Sequence, residues 1–195
     1  MSGEKSPEFK RFYPPENINK VKNAFDFYIS DDESVIYKRN NNSNQRFSQL
    51  LKDWNNRENF VRILKGEFFD PILRSHICNG FDLEADGSHK MKFLHGYRLD
   101  MIRNYAIDGD TAKLVLEQCE ILLYKLSIVN ESGTFLGDWA THNLVYSLEH
   151  CAIYNIDLEG FLTYNPVPKW ADFNVFETWM KDVIRQLEGV VSGEE

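Results

Sequence analysis

The sequence contains few cysteines and no long apolar run, and each shortage argues against a class of protein. Its three cysteines are scattered and show no C-x-x-C spacing, so we expect neither a disulfide framework nor a structural zinc site. No apolar run approaches about 18 residues, the length that suggests a membrane-spanning helix. The first residues also lack the apolar core of a signal peptide. We therefore expect a cytoplasmic protein with no membrane span.

The sequence also contains fewer basic than acidic residues. Asp and Glu outnumber Lys and Arg by 30 to 22, which gives a formal net charge of -8. Binding along a nucleic acid requires clustered Lys and Arg, so we expect no nucleic-acid partner. A local basic pocket for a single nucleotide remains compatible with this balance. Hydrophobic residues make up 43% of the chain, which is ample for a folded core.

The first half of the chain is predicted to form strands around one helical run. Residues 25–30 and 34–38 have strand patterns and are separated by three successive acids, which is typical of a hairpin. Residues 46–65 carry apolar side chains at helical spacing, and Asn55-Asn56 is predicted to divide this run. A further strand is expected at residues 89–94.

The second half is predicted to be mainly helical. Residues 110–129 form the clearest amphipathic helix, for which Asp110 is the predicted N-cap. A last amphipathic helix is expected from about Asp172 to Leu187. Strands in the first half and helices in the second predict an α+β fold.

Between these two helices lies a predicted hairpin with oxygen-bearing side chains at one end. Its strands are expected at residues 144–147 and 152–156. Asp138 and Asn143 precede the first strand, and Asp157 follows the second. Because a hairpin brings its two ends together, we expect these three side chains to converge. Two carboxylates and one amide at one point suit Mg²⁺, which keeps its other positions for water and phosphate.

The residues at this hairpin resemble the catalytic core of the protein-kinase-like superfamily. G-D-W-A-T-H-N-L at 137–144 and I-D-L-E-G at 156–160 are most similar to the small-molecule phosphotransferases of the aminoglycoside and choline kinase type. Those enzymes carry H-G-D-x-x-x-x-N and I-D-[FW]-E loops, and Asp138 and Asn143 stand at the same interval. The resemblance implies a two-lobed kinase-like fold with a small N-terminal sheet lobe and a reduced, mainly helical C-terminal lobe.

The resemblance also implies a chemistry for the site. Asp138 would orient the acceptor hydroxyl and accept its proton, while Asn143 and Asp157 would bind the Mg²⁺ that accompanies ATP. Glu159 matches an acidic residue common in small-molecule kinases. The expected activity is transfer of the γ-phosphoryl group of ATP to a hydroxyl group. The chain continues only briefly after Asp157, which leaves little protein for a peptide groove, so we expect a small-molecule or glycan acceptor.

The first half resembles the same superfamily through the order of its elements. V-I-Y-K at 35–38 is similar to the strand whose lysine holds the α- and β-phosphates, which would be Lys38. Glu58 would be its ion-pair partner. Phe93 and Leu94 lie where the resemblance implies a hinge that contacts the adenine. The lobes would then be residues 1–94, with a flexible N-terminal arm, and 95–195, within a single kinase-like domain.

The sequence departs from the family pattern at three places. No G-x-G-x-x-G loop precedes Val35, Leu136 stands at the position of the leading histidine, and Ala140 replaces a basic residue often found inside the loop. A second interpretation therefore stays open, in which the protein is a kinase-like binding module with little or no turnover. A third is a structural domain with a coincidental motif. The sequence does not indicate the oligomeric state.

Overall fold

The computed structural model describes residues 9–12, 25–41, 45–133, 138–163 and 172–193, and every structural statement below concerns these ranges. They contain a five-stranded sheet, a three-stranded sheet and five α-helices, and all pairings within the sheets are antiparallel. The predicted α+β class is therefore confirmed. The chain divides into two compact units, of which the first comprises Met1–Lys65 and Asn79–Phe93 and the second Gly66–Cys78 and Leu94–Glu195.

The first unit is built on the five-stranded sheet. Its order is β1-β2-β3-β5-β4, with bounds β1 (Phe9–Phe12), β2 (Phe25–Ser30), β3 (Val35–Asn40), β4 (Gly80–Phe81) and β5 (His89–Lys92). The predicted hairpin is confirmed as β2 and β3, although β3 extends to Asn40. Asp32 stabilises the turn between them by accepting hydrogen bonds from Ser30 Oγ at 2.6 Å and Ser34 N at 3.2 Å. These bonds lower the pKa of the Asp32 carboxyl.

Two helices cover this sheet's aromatic core. They are α1 (Gln45–Leu50) and α2 (Trp54–Leu64). The predicted helical run does divide, but the predicted position at Asn55-Asn56 is wrong because both residues lie in the first turn of α2. Asp53 sets the division, since it caps α2 by accepting a hydrogen bond from Asn56 N at 3.0 Å. Phe47 of α1 and Phe60 of α2 are fully buried, with ring centroids 5.0 Å apart.

The second unit contains the predicted hairpin within the three-stranded sheet. The strands are β6 (Gly96–Arg98), β7 (Leu144–Ser147) and β8 (Ala152–Asn155), in that order. Leu144 pairs with Asn155 at one end of the hairpin, and Ser147 pairs with Ala152 at the other. The turn ends at Cys151, whose φ of 47° lies in the left-handed region. The prediction of a hairpin here is confirmed.

Three α-helices and three short 3-10 turns complete this unit. The helices are α3 (Gly109–Glu131), α4 (Glu159–Thr163) and α5 (Phe173–Ser192), and the 3-10 turns are Arg74–His76, Leu99–Asn104 and Thr141–Asn143. Helices α3 and α5, which were both predicted, pack against each other through their buried apolar faces. Asp110 is not the N-cap of α3. Asp108 has that role, accepting hydrogen bonds from Asp110 N at 3.0 Å and Thr111 N at 2.9 Å.

Residues 66–78 belong to the second unit, whereas the sequence placed them in the first lobe. Cys78 N donates to Asn155 O at 3.0 Å, which ties this segment to the end of β8. Phe69 packs edge-on against Phe161, with ring centroids 4.6 Å apart. These contacts join residues far apart along the chain, so local sequence patterns give no signal of them. No helix in the described ranges is long and apolar enough to cross a membrane.

Candidate functional site

Three of the predicted site residues, Asp138, Asn143 and Asp157, flank the end of the β7–β8 hairpin at which Leu144 pairs with Asn155. Asp138 precedes the 3-10 turn Thr141–Asn143, and Asp157 follows β8 by two residues. Ile156 N donates to the backbone oxygen of Asn143 at 2.9 Å, which fixes the two ends of the hairpin against each other. The structure thus brings the backbones of all three predicted residues into one region of the second unit, which we call the hairpin-end cluster.

Asn155 connects two of these residues through its side chain. Its Nδ2 donates to the backbone oxygen of Asp138 at 2.8 Å, and its Oδ1 accepts from the backbone nitrogen of Asp157 at 3.0 Å. The residue has no exposed surface. The nitrogen and the oxygen of this buried amide therefore join the segment before β7 to the segment after β8. The sequence interpretation did not single out Asn155.

Asp138 is buried beside the start of α4. Only 5% of the residue is exposed, and a Cβ added to Gly160 would lie 2.7 Å from Asp138 Cβ and 2.9 Å from its Cγ. Real Cβ atoms essentially never come so close to another atom. The absence of a side chain at position 160 therefore leaves the space that the Asp138 carboxylate uses. Glu159, the acid that the resemblance singled out, is also buried, at 4% exposure.

Asn143 carries an unsatisfied polar atom. The residue is 5% exposed, and its Nδ2 has no hydrogen-bond partner among the described residues. Buried donors of this kind are rare and usually point to a strained, functional or ligand-binding position. An anionic oxygen would satisfy Nδ2, while the amide oxygen would remain a ligand for a hard cation. A role for Asn143 beside a cation and its phosphate stays a prediction.

Asp157 and Asn143 are the residues that the sequence predicts to hold Mg²⁺. Asp157 is half-buried, so its carboxylate combines a fixed backbone with access to solvent. No group of three or more His, Cys, Asp or Glu side chains in the described ranges is arranged to hold a metal. Mg²⁺ is typically bound by one or two carboxylates and keeps several waters or phosphate oxygens. Asp157 and Asn143 offer one carboxylate and one amide, and binding of Mg²⁺ by this pair stays a prediction.

Lys38 lies on β3 in the first unit and is 4% exposed. Its Nζ lies 5.2 Å from the centroid of the Phe25 ring and 6.0 Å from that of Phe27. Such contacts stabilise an ammonium that is removed from water. These contacts with the Phe25 and Phe27 rings hold the end of the Lys38 side chain in place within the first unit. A phosphate contact for Lys38 stays a prediction.

The other predicted nucleotide contacts are Glu58, Phe93 and Leu94, and none of them is fully buried. Glu58 is exposed on α2, and its ion pair with Lys38 stays a prediction. Phe93 and Leu94 are half-buried and stand on either side of the boundary between the two units. Phe93 N donates to Ser34 O at 2.9 Å. Leu136, the departure from the family loop, lies outside the described residues, whereas Ala140 is buried.

The turn at 31–34 precedes Val35, where the resemblance predicts a glycine-rich loop. It contains no glycine, and its three acids are exposed. Asp32 is bonded to the serines on either side of the acids, and Asp31 forms an ion pair with Lys10 at 2.8 Å. Asp31 and Asp32 are therefore both held by contacts within the first unit.

A buried histidine lies behind β8. His76 Nδ1 is 2.8 Å from Ile153 O, and Lys125 Nζ is 2.9 Å from His76 Nε2. Since the carbonyl can only accept, Nδ1 carries the proton, and Nε2 accepts from the lysine. Burial lowers the pKa of His76, the bond to Ile153 opposes this, and the charge of Lys125 lowers it further. The neutral imidazole thus connects α3 to the strand that carries Asn155.

Asn155 shares a face of β8 with the apolar residue Ile153, and this alternation is the one feature of the sequence that points to it. Along β8, Ile153 and Asn155 are buried while Ala152 and Tyr154 are half-buried, so position 155 faces the core. A side-chain amide at a core position of a strand is unusual unless it is fully hydrogen-bonded. No comparable pattern indicates the packing of Gly160 or the contact between His76 and Lys125.

Comparisons with known proteins add no further assignment. A scan against models of protein families finds no match to this chain, and a search of curated proteins finds none either.

Proposed function

We propose that the protein is a phosphotransferase of the protein-kinase-like superfamily that uses ATP and Mg²⁺. Its reaction is transfer of the γ-phosphoryl group to a hydroxyl of a small molecule or sugar. The observation that supports this most directly is the side chain of Asn155. It joins the backbones of Asp138 and Asp157, the residues that match the base and the metal-binding position of the family.

Asp138 is the proposed base. Its carboxylate would orient the acceptor hydroxyl and take its proton as the acceptor oxygen forms a bond to the γ-phosphorus. The bond between that phosphorus and the β,γ-bridging oxygen breaks, and ADP leaves with the bonding electrons. Phosphoryl transfer depends mainly on positioning and charge neutralisation, so a buried and closely packed carboxylate suits this role.

Asn143 and Asp157 are the residues that would hold Mg²⁺. When bound, the ion would neutralise charge on the nucleotide's phosphates. The unsatisfied Nδ2 of Asn143 would donate to a phosphate oxygen. Lys38, Glu58, Phe93 and Leu94 are proposed nucleotide contacts on the resemblance alone, as is the two-lobed kinase-like fold.

Nucleotide binding and ADP release test this proposal. ATP with Mg²⁺ should stabilise the fold by about 2.7 kcal/mol when the nucleotide is at about 100 times its dissociation constant. Asp138→Ala should abolish ADP release in a screen of candidate alcohols and leave nucleotide binding largely intact. Asp157→Ala should weaken binding of the metal–nucleotide complex. A thermal-shift assay without any nucleotide effect, with or without Mg²⁺, would contradict the proposal.

A second candidate is a kinase-like module that binds nucleotide without turnover. The glycine-free turn at 31–34 favours it, because the backbone amides of such a turn cannot approach a phosphate as closely as those of a glycine-rich loop. The two candidates differ in one measurement. A module binds ATP but releases no ADP with any acceptor, and its Asp138→Ala variant behaves like the wild type.

A further inference from the structure

Asn155 is the point at which three segments of the second unit meet. Its side chain bonds to Asp138 and Asp157, as described above. Its backbone oxygen accepts from Cys78 N at 3.0 Å, and the residue pairs with Leu144 across the hairpin. Fixed on these sides and fully buried, the residue cannot reorient without breaking several hydrogen bonds.

The two side-chain bonds of Asn155 require an amide. Asp138 offers a carbonyl oxygen, which needs a donor, and Asp157 offers an N–H, which needs an acceptor. An amide supplies one of each at a fixed separation. A carboxylate has only acceptors and would repel the Asp138 oxygen, and a hydroxyl reaches one partner at a time. Leucine has about the same size and satisfies neither.

We propose that Asn155 is a positioning residue that sets the spacing between the base and the metal-binding carboxylate. This inference rests on the proposed function, because it assigns Asn155 no role apart from Asp138 and Asp157. Asn155 acts through those residues and does not itself contact substrate. The bond to Asp138 fixes the base, and the bond to Asp157 fixes the residue that would hold Mg²⁺.

The expected effect of losing this amide is on both kcat and metal binding. A displacement of about 1 Å in a reacting group can cost about 100-fold in rate. Loss of a hydrogen bond that orients a metal ligand typically costs about 10- to 100-fold in metal affinity or activity. Asn155→Leu should therefore lower kcat about 100-fold and weaken binding of the metal–ATP complex about 10-fold or more.

The experiment compares four proteins: the wild type, Asn155→Leu, Asn155→Thr and Ser147→Ala. Threonine suits a strand and retains one hydroxyl, so it should give a smaller loss than leucine. Ser147→Ala is the matched control, because Ser147 is fully buried at the other end of the same hairpin and accepts a hydrogen bond from His150 N at 3.3 Å. It weakens the hairpin without touching the cluster and should keep kcat and metal affinity at wild-type values.

Two measurements are made on each protein. The first is kcat at saturating Mg²⁺ and acceptor, with the concentration of Mg²⁺ that gives half the maximal rate. The second is binding of Mn²⁺–ATP, followed by the electron paramagnetic resonance of the manganese ion, which requires no turnover. Thermal unfolding without nucleotide shows whether each variant is folded.

Each outcome has one meaning. Folded Asn155 variants that lose rate and metal binding, beside an unaffected Ser147→Ala, support the proposal. Folded variants with wild-type kcat and metal binding overturn it, as does unfolding of both Asn155 variants while Ser147→Ala stays folded, since Asn155 would then serve folding alone. A wild type that neither binds Mn²⁺–ATP nor releases ADP overturns the proposed function, which the wild-type measurement identifies separately.

Discussion

Gly160 lies directly against the side chain of Asp138. A Cβ at position 160 would come within 2.7 Å of Asp138 Cβ, and Gly160 has no positive φ that would itself require glycine. Glycine therefore suits position 160 because a larger side chain would clash with Asp138, and not because the backbone conformation requires glycine. Gly160 lies in helix α4, where alanine would by itself be more favourable by about 1 kcal/mol, so helix propensity does not account for the glycine.

Gly160→Ala should consequently impair the site more than the fold. The added methyl group displaces the Asp138 carboxylate, and we expect kcat to fall by about 100-fold. Gly109→Ala is the matched control, since Gly109 also lies in the first turn of a helix and a Cβ there would meet no atom within 4 Å. Steady-state ADP release and thermal unfolding of both variants give the comparison. Equal kcat values in Gly160→Ala and Gly109→Ala would show that Asp138 tolerates the displacement.

Lys38 provides a test within the first unit. Lys38→Met keeps much of the apolar stem between the Phe25 and Phe27 rings but removes the charge. If Lys38 contacts phosphate, loss of a charge-assisted hydrogen bond of about 1.5–3 kcal/mol should weaken ATP binding by about 10- to 100-fold. Calorimetric titration of ATP with Mg²⁺ measures this change.

Arg39→Met is the control for Lys38→Met. Arg39 is the next residue on β3 and is exposed, with its guanidinium 3.1 Å from the Asp26 carboxylate. Adjacent strand residues point to opposite faces of a sheet, so the same loss of charge occurs on the other face. We expect ATP affinity to be unchanged by Arg39→Met. A similar fall in both variants would mean that net charge, and not a specific contact, governs binding.

The buried imidazole of His76 should make the fold sensitive to mild acid. Its pKa in the folded protein is lowered by burial, whereas in the unfolded chain it has its ordinary value of about 6.5. As the pH falls below about 6.5, the unfolded chain takes up the proton first, so the free energy of unfolding decreases. Asp32 and Asp108, whose carboxyl pKa values are lowered, contribute only at lower pH, below about 4.

Urea unfolding at about pH 7.5 and about pH 5.5 measures this effect, because His76 changes its protonation in the unfolded chain between them. His76→Gln removes the titrating group, so its stability should depend less on pH over this interval even if its overall stability is lower. If His76→Gln loses as much stability on acidification as the wild type, His76 is not responsible.

The start of α3 allows a direct comparison of two neighbouring aspartates. Asp108 accepts hydrogen bonds from two backbone nitrogens, whereas Asp110 forms a surface ion pair with Lys113 at 3.3 Å. Asp108→Ala should therefore lower the free energy of unfolding more than Asp110→Ala, because it leaves the first N–H groups of the helix without a partner. Chemical unfolding of both variants under one condition decides the order.

The same helix start shows what local sequence can and cannot determine. Its apolar spacing predicts its existence, because 3.6-residue periodicity is a property of consecutive residues. The choice between Asp108 and Asp110 as cap depends on where the backbone leaves the helical conformation. The observed cap lies two residues before the predicted one, since Gly109 carries no side chain to extend the apolar pattern. Asp53 gives no such signal as the cap of α2, because the apolar spacing of Leu50, Leu51 and Trp54 continues across it.

Local sequence patterns predict the strands and the residue spacing of the candidate site, but they do not predict the tertiary contacts that bring its segments together. Hairpin strands and the spacing of Asp138, Asn143 and Asp157 can be read from consecutive residues. The five-residue helix α4 is too short to give a periodic signal, and the gap at Gly160 matters only because Asp138 packs there. Likewise, Cys78 and Asn155 meet through tertiary packing, which leaves no local pattern in either segment.

The far end of the hairpin carries a useful chemical handle. Cys151 is exposed in the turn, whereas Cys78 and Cys119 are buried, and none of the three forms a disulfide. Burial raises the pKa of the Cys119 thiol to about 12, and the thiolate is the reactive form. A maleimide dye should therefore label the native protein at Cys151 in preference to the buried thiols. The three strand steps between Ser147 and Leu144 place that dye roughly 10 Å from the hairpin-end cluster, so a fluorophore or surface tether can be attached there without altering the residues under test.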